Sequence, residues 1–248
     1  MKIHVILILW LSTLLMAERI HVAVAANVSY AMDALQHAFY TEHPHIDIRV
    51  VLGSTGKLTA QIQHGAPYDI FMAANMRYPQ RLHALGLSVE APQVYAKGSL
   101  SYFTTQEHNI TEGMALLARK EIRTIAIANP KTAPYGAASM QALRSAHIYN
   151  AVKHKLVFGE SIAQTLAYVL HAADIGLIAT SARYSPKMKL FRHGLYWSEV
   201  DPALYTPIEQ GIVLLKRAEN SQAAHDFYTF MLSKKAQNIL KKFGYAVP

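Results

Sequence analysis

The stretch that decides the fold runs Ile46-Asp47-Ile48-Arg49-Val50-Val51-Leu52, then Gly53-Ser54-Thr55-Gly56, then Lys57-Leu58-Thr59-Ala60-Gln61-Ile62-Gln63-His64. Its first part is rich in β-branched residues, which predicts a strand. Its last part repeats apolar residues four positions apart, which predicts a helix. The linking tetrapeptide is small and polar, and Ser and Thr are favoured at the N-cap of a helix. This strand, loop and helix together indicate an α/β fold.

The same alternation recurs along the chain, which favours α/β layers with parallel strands. The predicted strands are Ile20 to Ala25, Ile46 to Leu52, Asp69 to Ala74, Thr124 to Ala128, Lys155 to Phe158, Ile175 to Ala179 and Gly211 to Leu215. The predicted helices are Ala31 to Phe39, Leu58 to His64, Pro79 to Leu85, Ala137 to Ser145, Ala163 to His171 and Ala223 to Lys242.

Two segments are candidates for crossings between two lobes. One is Val94 to Ser101, which contains Gly98, and the other is Tyr205 to Gly211, which contains Pro207. With crossings at these points, residues 18–98 and 206–248 form lobe I and residues 99–205 form lobe II. A cleft between two lobes is a usual place for a small ligand.

The N-terminus predicts export. A basic start, the apolar run Val5 to Met16 and the small residue Ala17 are typical of a signal peptide over residues 1–17. A membrane anchor is the alternative, but the run is shorter than the roughly 20 apolar residues that a spanning helix needs. The chain has no cysteine, which excludes disulfides, thiolate metal sites and a lipid-modified cysteine. We therefore expect a free, soluble, monomeric periplasmic protein.

The charge balance is basic, with 24 Lys and Arg against 16 Asp and Glu and a formal net charge of +8. Such a charge can attract nucleic acid, but an exported protein would rarely meet it, and the basic residues are scattered. We expect no nucleic-acid partner and interpret the charge as a solvated surface with a mild field that draws anions inward.

Four loops follow predicted strands and open helices: Ala26-Asn27-Val28-Ser29, Gly53-Ser54-Thr55-Gly56, Ala133-Pro134-Tyr135-Gly136 and Gly159-Glu160-Ser161-Ile162. Free N–H groups and the positive end of a helix dipole form an anion site without a charged side chain. Two of these loops lie in each predicted lobe. Each loop taken singly is better explained as an ordinary helix cap, and it is the set of four that favours an anion site.

The loops favour a fully ionised anion. A protonated anion such as hydrogen phosphate also needs an acceptor for its O–H, usually a carboxylate. Glu160 is the only carboxylate in the four loops, and its simplest role is to complement the helix dipole. Phosphate is therefore the less favoured ligand.

The chain resembles the molybdate-binding proteins of bacterial ABC transporters, and the resemblance spans nearly all of the predicted mature chain. The matching stretches stand in family order: Val24-Ala25-Ala26-Asn27, Gly53-Ser54-Thr55-Gly56-Lys57-Leu58, Ala60-Gln61-Ile62, Gly65-Ala66-Pro67-Tyr68-Asp69-Ile70-Phe71, Ala128-Asn129-Pro130-Lys131-Thr132-Ala133-Pro134-Tyr135-Gly136, Gly159-Glu160-Ser161-Ile162-Ala163-Gln164 and Phe243-Gly244-Tyr245. The resemblance implies the type II periplasmic binding fold, with two α/β lobes and two interlobe crossings.

The resemblance also implies a ligand and a site. The ligand is molybdate or tungstate, held as an oxyanion, with no cofactor and no direct side-chain ligand to the metal. Asn27 would donate from the first loop and Ser54 or Thr55 from the second. The backbone N–H groups of Tyr135 and Ile162 would donate from the other two loops, and Ala26 would lie beside the anion. The implied partner is an ABC transporter permease in the inner membrane.

Two positions depart from one branch of the family. That branch has a serine where this chain has Asn27, and a donating tyrosine where this chain has Ala179. Either Ser181 or water replaces that donor, or the coordination is that of a second branch, which has asparagine at the first position. We favour the second branch.

Other function classes leave weaker signals. His43-Pro44-His45 lacks a third metal ligand at diagnostic spacing, and Tyr135 is the only tyrosine in the four loops, which argues against a ferric site. Gly53-Ser54-Thr55-Gly56 matches neither a nucleophile elbow nor a phosphate loop, so we expect no enzyme. A binding protein for sulfate or phosphate and a sensor domain that presents its anion to a receptor stay open.

Overall fold

The computed structural model of the protein describes residues 18–248, and the predicted signal peptide lies outside them. Among the described residues, none of the helices is both long and apolar enough to cross a membrane.

The first sheet has five strands in the order β2-β1-β3-β10-β4. They are β1 (Glu18–Ala25), β2 (Ile46–Gly53), β3 (Ile70–Met72), β4 (Gln93–Gly98) and β10 (Ile208–Leu214). The first three strands are mutually parallel, whereas β10 runs antiparallel to both β3 and β4. The sheet is therefore mixed, and the sequence-based expectation of parallel strands holds for only part of it.

The second sheet repeats this arrangement in the order β7-β6-β8-β5-β9. Its strands are β5 (Leu100–Phe103), β6 (Ile125–Ala128), β7 (Leu156–Gly159), β8 (Ile175–Ala179) and β9 (Trp197–Glu199). Strands β6, β7 and β8 are parallel, and β5 is antiparallel to its neighbours. The chain passes between the sheets twice, at Ser99 and just before Ile208. The prediction of two α/β lobes with two crossings is confirmed, and we propose that the lobes divide at residues 98/99 and 205/206.

Within residues 18–248, eight α-helices connect or cover these strands: α1 (Ser29–Tyr40), α2 (Thr55–Gln63), α3 (Arg77–Ala84), α4 (Pro134–Ser145), α5 (Tyr149–Val152), α6 (Ile162–His171), α7 (Gln222–Leu232) and α8 (Lys234–Lys242). The prediction of one helix from Ala223 to Lys242 is wrong. The helix breaks at Ser233, whose side chain accepts a hydrogen bond from the backbone N–H of Ala236 and so caps α8.

Each sheet is buried on both faces, as α/β layering requires. Helices α1, α7 and α8 pack on one face of the first sheet, and α2 and α3 cover the other. In the second sheet, α4 packs on one face and α6 on the other. One of the clusters joins the lobes, because Ala25, Ala26 and Ala74 pack there with residues of the second sheet. The lobes are therefore in contact.

Candidate functional site

The strand register brings the four predicted loops to the carboxyl ends of two pairs of parallel strands. In the first sheet Ala25 pairs with Gly53, and in the second sheet Ala128 pairs with Gly159. The loops after β1 and β2 therefore start side by side, as do the loops after β6 and β7. Ligands of open α/β sheets bind outside this end of the strands.

The loops line a small cavity between the lobes. All six residues of the predicted site line it. The lining consists of Ala25, Ala26, Asn27, Gly53, Ser54, Thr55, Ala74, Ala133, Pro134, Tyr135 and Ile162. None of these side chains carries a formal charge. The structure thus brings the predicted residues together, and their role as anion donors stays a prediction.

Three helices begin at the cavity. Thr55 is the first residue of α2, Pro134 and Tyr135 open α4, and Ile162 opens α6. The helical pattern supplies no partner for the N–H groups of a first turn. The positive ends of three helix dipoles also meet here. The cavity therefore suits a small anion that needs only hydrogen-bond donors.

Ser54 adds a hydroxyl to these backbone groups. Its Oγ is buried and has no hydrogen-bond partner among residues 18–248, although Ser54 is the N-cap of α2. Ser161, the N-cap of α6, behaves differently, because its side chain accepts from the N–H of Gln164. The Thr55 hydroxyl accepts from Ala74 N at 3.1 Å. Of the two predicted hydroxyl donors, that of Ser54 is therefore the one left without a partner.

Asn27 is fixed from behind the cavity. Its Nδ2 donates to Gln210 Oε1 at 2.9 Å and to Tyr245 Oη at 3.0 Å. Its Oδ1 is buried and has no partner in the described part of the chain. In this arrangement the amide N–H groups serve the protein, so donation to a ligand falls to the backbone N–H of Asn27 unless the amide turns.

The Ser181 hydroxyl is used elsewhere, which argues against Ser181 as the replacement for the donor that is missing at Ala179. It is not part of the cavity lining, and its Oγ donates to the backbone oxygen of Asn27 at 2.9 Å. The same oxygen accepts from Tyr245 Oη at 2.7 Å. Ser181 therefore acts on the first loop from the other lobe, and its hydroxyl hydrogen is used there.

Two further contacts close the lobes over the cavity. Gly56 N donates to Thr132 O at 2.8 Å, and Lys57 Nζ lies 2.7 Å from Glu160 Oε1. The two charged side chains are each more than half exposed, and Glu160 does not line the cavity. The expectation that Glu160 serves only the helix dipole is therefore incomplete, because its carboxylate pairs across the cleft.

The tyrosines at the back of the cavity stay neutral. Burial raises the pKa of the Tyr135 phenol well above its usual value, and it also raises the pKa of Tyr245. Because both groups keep their protons, neither phenol changes charge near neutral pH.

Gln210 and Tyr245 support the site without lining it. Both are buried, and Gln210 lies within the apolar strand β10. An amide in the middle of such a strand is itself a signal, because a buried polar group is normally hydrogen-bonded. Its partner Asn27 lies 183 positions away, which no local pattern reveals.

The histidine pair outside the cavity has a structural explanation. The His43 ring stacks on Phe39 at 4.5 Å between centroids, and its Nδ1 lies 3.5 Å from Asp226 Oδ2. Among residues 18–248, no group of three or more His, Cys, Asp or Glu side chains could hold a metal ion.

Comparisons with known proteins all point to the same family. The family described as bacterial extracellular solute-binding protein matches residues 20–246. The molybdate-binding protein ModA of Azotobacter vinelandii is 34% identical over 93% of this chain and 91% of its own. The protein of the same name from Rhodobacter capsulatus is 30% identical over 92% of this chain and 88% of its own.

The solved structures agree. The Azotobacter vinelandii periplasmic molybdate-binding protein superposes with a TM-score of 0.83 at 28% identity, covering 92% of this chain and 99% of that one. The sulfate-binding protein SubI of Mycobacterium tuberculosis has a TM-score of 0.74 at 15% identity, covering 92% of this chain and 86% of that one. The second likeness shows the fold alone. The periplasmic binding fold expected from the sequence is confirmed.

Proposed function

Because the chain belongs to the family of bacterial extracellular solute-binding proteins, we propose that it captures molybdate or tungstate and delivers the anion to an ABC importer. A solute-binding protein is not an enzyme, and this role needs no cofactor. The observation that carries the proposal is the uncharged interlobe cavity, where three helix N-termini meet the Ser54 hydroxyl, which has no partner in the described part of the chain. The names of the two relatives that are 30% or more identical support the choice of anion.

Backbone groups and one hydroxyl explain why a fully ionised tetrahedral anion fits. Such an anion accepts hydrogen bonds from every side and donates none. Thr55, Tyr135 and Ile162 offer N–H groups from both lobes, and Ser54 offers its O–H. Sulfate is smaller than molybdate and would leave donors underused, which is costly in a dry site.

Capture proceeds by hinged closure. The open lobes admit the anion, and closure adds the donors of the second lobe and excludes water. The contacts Gly56–Thr132, Lys57–Glu160 and Ser181–Asn27 all join the two lobes and so belong to the closed form. A permease in the inner membrane then recognises this form. Solution scattering should show compaction when molybdate is added, and an unchanged radius of gyration would contradict this step.

The site of action is the periplasm, reached through a signal peptide over residues 1–17, and the protein acts as a monomer. Mass spectrometry of the exported protein tests the processing, with a new N-terminus expected near Glu18. Light scattering tests the oligomeric state.

A thermal-shift titration against molybdate, tungstate, sulfate and phosphate tests the ligand. A ligand at about 100 times its dissociation constant adds roughly 2.7 kcal/mol to stability, which raises the melting temperature visibly. We expect a rise with molybdate and tungstate alone, and calorimetry then gives the stoichiometry. A response only to sulfate or phosphate would keep the fold and overturn the specificity. An unchanged melting temperature with every anion would favour a sensor domain for another ligand.

A further inference from the structure

Gln210 is a fully buried side chain that does not line the cavity and contacts two residues that do, Asn27 and Tyr135. We propose that Gln210 is a positioning and specificity-determining residue: it sets which end of the Asn27 amide faces the anion, and the two amides turn over together when a fully ionised oxyanion is captured. The proposal rests on the function proposed above.

The first observation is the unpartnered Asn27 Oδ1. Asn27 is 1% exposed and lines the cavity, and its Oδ1 has no hydrogen-bond partner among residues 18–248. A buried acceptor without a donor is costly, and it repels an anion whose oxygens are also acceptors. Turning the amide by 180° places Nδ2 where Oδ1 lies, with almost no change in shape. Capture of a dianion favours that turned state.

The second observation is that partners for the turned amide are already in place. Tyr245 Oη lies 3.0 Å from the Asn27 amide and can donate its hydrogen to the turned Oδ1. The backbone oxygen of Asn27 then keeps its bond from Ser181 Oγ at 2.9 Å. Gln210, turned likewise, donates from Nε2 to the same Oδ1. Its Oε1 then accepts from Tyr135 Oη, now 3.5 Å from the Gln210 amide.

The turn gives up two hydrogen bonds of the present arrangement. One is the bond from Tyr245 Oη to the backbone oxygen of Asn27 at 2.7 Å, because Tyr245 has a single hydrogen to donate. The other is the bond from Gln210 Nε2 to Ile208 O at 3.2 Å, which is lost when the Gln210 amide turns. The turned pair is therefore disfavoured without a ligand and favoured when Nδ2 gains a charge-assisted bond to the anion.

Selectivity follows from the same geometry. A singly protonated oxyanion can donate its O–H to Asn27 Oδ1 without any turn, whereas a fully ionised one cannot. Gln210 can pair with Asn27 in either orientation, because its amide accepts from Nδ2 in the unturned state and donates to Oδ1 in the turned state. A residue that only accepts would hold Asn27 in the unturned state and weaken molybdate capture.

The test combines Gln210→Glu with Asn27→Ala in a double-mutant cycle, with molybdate affinity measured by calorimetry at pH 8. An ionised carboxylate has nearly the shape of the amide but only accepts. We expect Gln210→Glu to weaken molybdate binding about a hundredfold when Asn27 is present. In the Asn27→Ala background we expect a loss of about tenfold or less, due to charge repulsion alone. Equal losses in both backgrounds would overturn the proposal.

Gln141→Glu is the matched control. Gln141 contacts Thr206 at the second crossing through both ends of its exposed amide, away from Asn27. The same change there should alter molybdate affinity by less than about twofold. A large effect at Gln141 would show that added charge alone explains the loss at Gln210 and would overturn the proposal.

A second measurement does not depend on the fold of the Gln210→Glu variant. In ¹⁵N spectra of the wild-type protein, the Gln210 side-chain NH₂ signal should shift when molybdate is added and stay in place in Asn27→Ala. An unmoved signal in the wild-type protein contradicts the turn. Failure of the wild-type protein to bind molybdate overturns the proposed function as well, whereas binding without coupling overturns only the role of Gln210.

Discussion

The Ser54 hydroxyl separates ligand binding from stability at the level of a single residue. Because its Oγ has no hydrogen-bond partner among residues 18–248, Ser54→Ala should leave the melting temperature of the unliganded protein nearly unchanged. Molybdate affinity should fall about 10- to 100-fold, as expected for a lost hydrogen bond to a charged group. Calorimetry and thermal unfolding measure the two effects. Ser161→Ala is the comparison: it removes a cap on α6 and should cost about 1 kcal/mol without ligand.

The buried Tyr95 phenol should make the stability of the protein fall at alkaline pH. Its Oη is buried without a partner among the described residues, and burial raises its pKa well above the ordinary value of 10.0. A raised pKa means that the folded state holds the proton more tightly. Stability from this group is therefore complete below pH 10.0 and is lost as the pH rises through the folded-state pKa.

Tyr95→Phe should remove this loss. The free energy of unfolding at pH 7 should stay unchanged or rise by up to ~1 kcal/mol, because an unsatisfied hydroxyl is removed. Urea unfolding between pH 7 and 10.5 should show a shallower decline than in the wild-type protein. Tyr245→Phe is the control, since that hydroxyl makes two hydrogen bonds and its loss should destabilise by about 1 kcal/mol. A Tyr95→Phe protein that is clearly less stable at pH 7 would contradict the argument.

At the scale of elements, the end of β4 must remain glycine. A Cβ on Gly98 would overlap Tyr135 Oη and lie 2.8 Å from Gln210 Nε2. Gly98→Ala should therefore push α4 and β10 apart and weaken molybdate binding about tenfold, in line with an overpacked site. Lys97→Ala changes a half-exposed side chain of the same strand, removes only its surface pair with Glu209, and should have little effect. Wild-type affinity in Gly98→Ala would show that the close approach is unimportant.

Local patterns predicted the elements that have a regular period and missed those defined by distant contacts. The loops of the site were found because strand, small polar residues and helix follow each other within each unit. Val94 to Ser101 looked like a simple crossing because strands β4 and β5, which occupy most of it, pair only with strands far along the chain: β4 with β10, and β5 with β8 and β9. The break at Ser233 was missed because helical periodicity continues on both sides of it. Gln210 was missed because Asn27, its partner, comes from the other end of the chain.

At the scale of the whole molecule, the Lys57–Glu160 pair joins the lobes at the surface. Exposed pairs contribute little, typically below about 1 kcal/mol. Lys57→Met should therefore weaken molybdate binding by no more than about threefold, chiefly through faster release, and added salt should reduce the difference. Exchanging the two charges with Lys57→Glu and Glu160→Lys should restore most of the loss in stopped-flow measurements. A loss beyond tenfold in Lys57→Met would mean that Lys57 acts on the anion directly.

The backbone origin of the cavity's donors bears on how such a protein can change over evolution. An N–H group exists at Thr55, Tyr135 and Ile162 whatever side chain the codon specifies, and only proline removes it. Most single substitutions in these loops therefore cannot delete a donor. A new preference among anions comes from the few side chains that reach the anion, such as Ser54 and Asn27, or from altered spacing between the lobes, which depends on many packed residues at once. The backbone donors of the cavity thus tolerate most random substitutions, and the surrounding surface residues can also change without removing them.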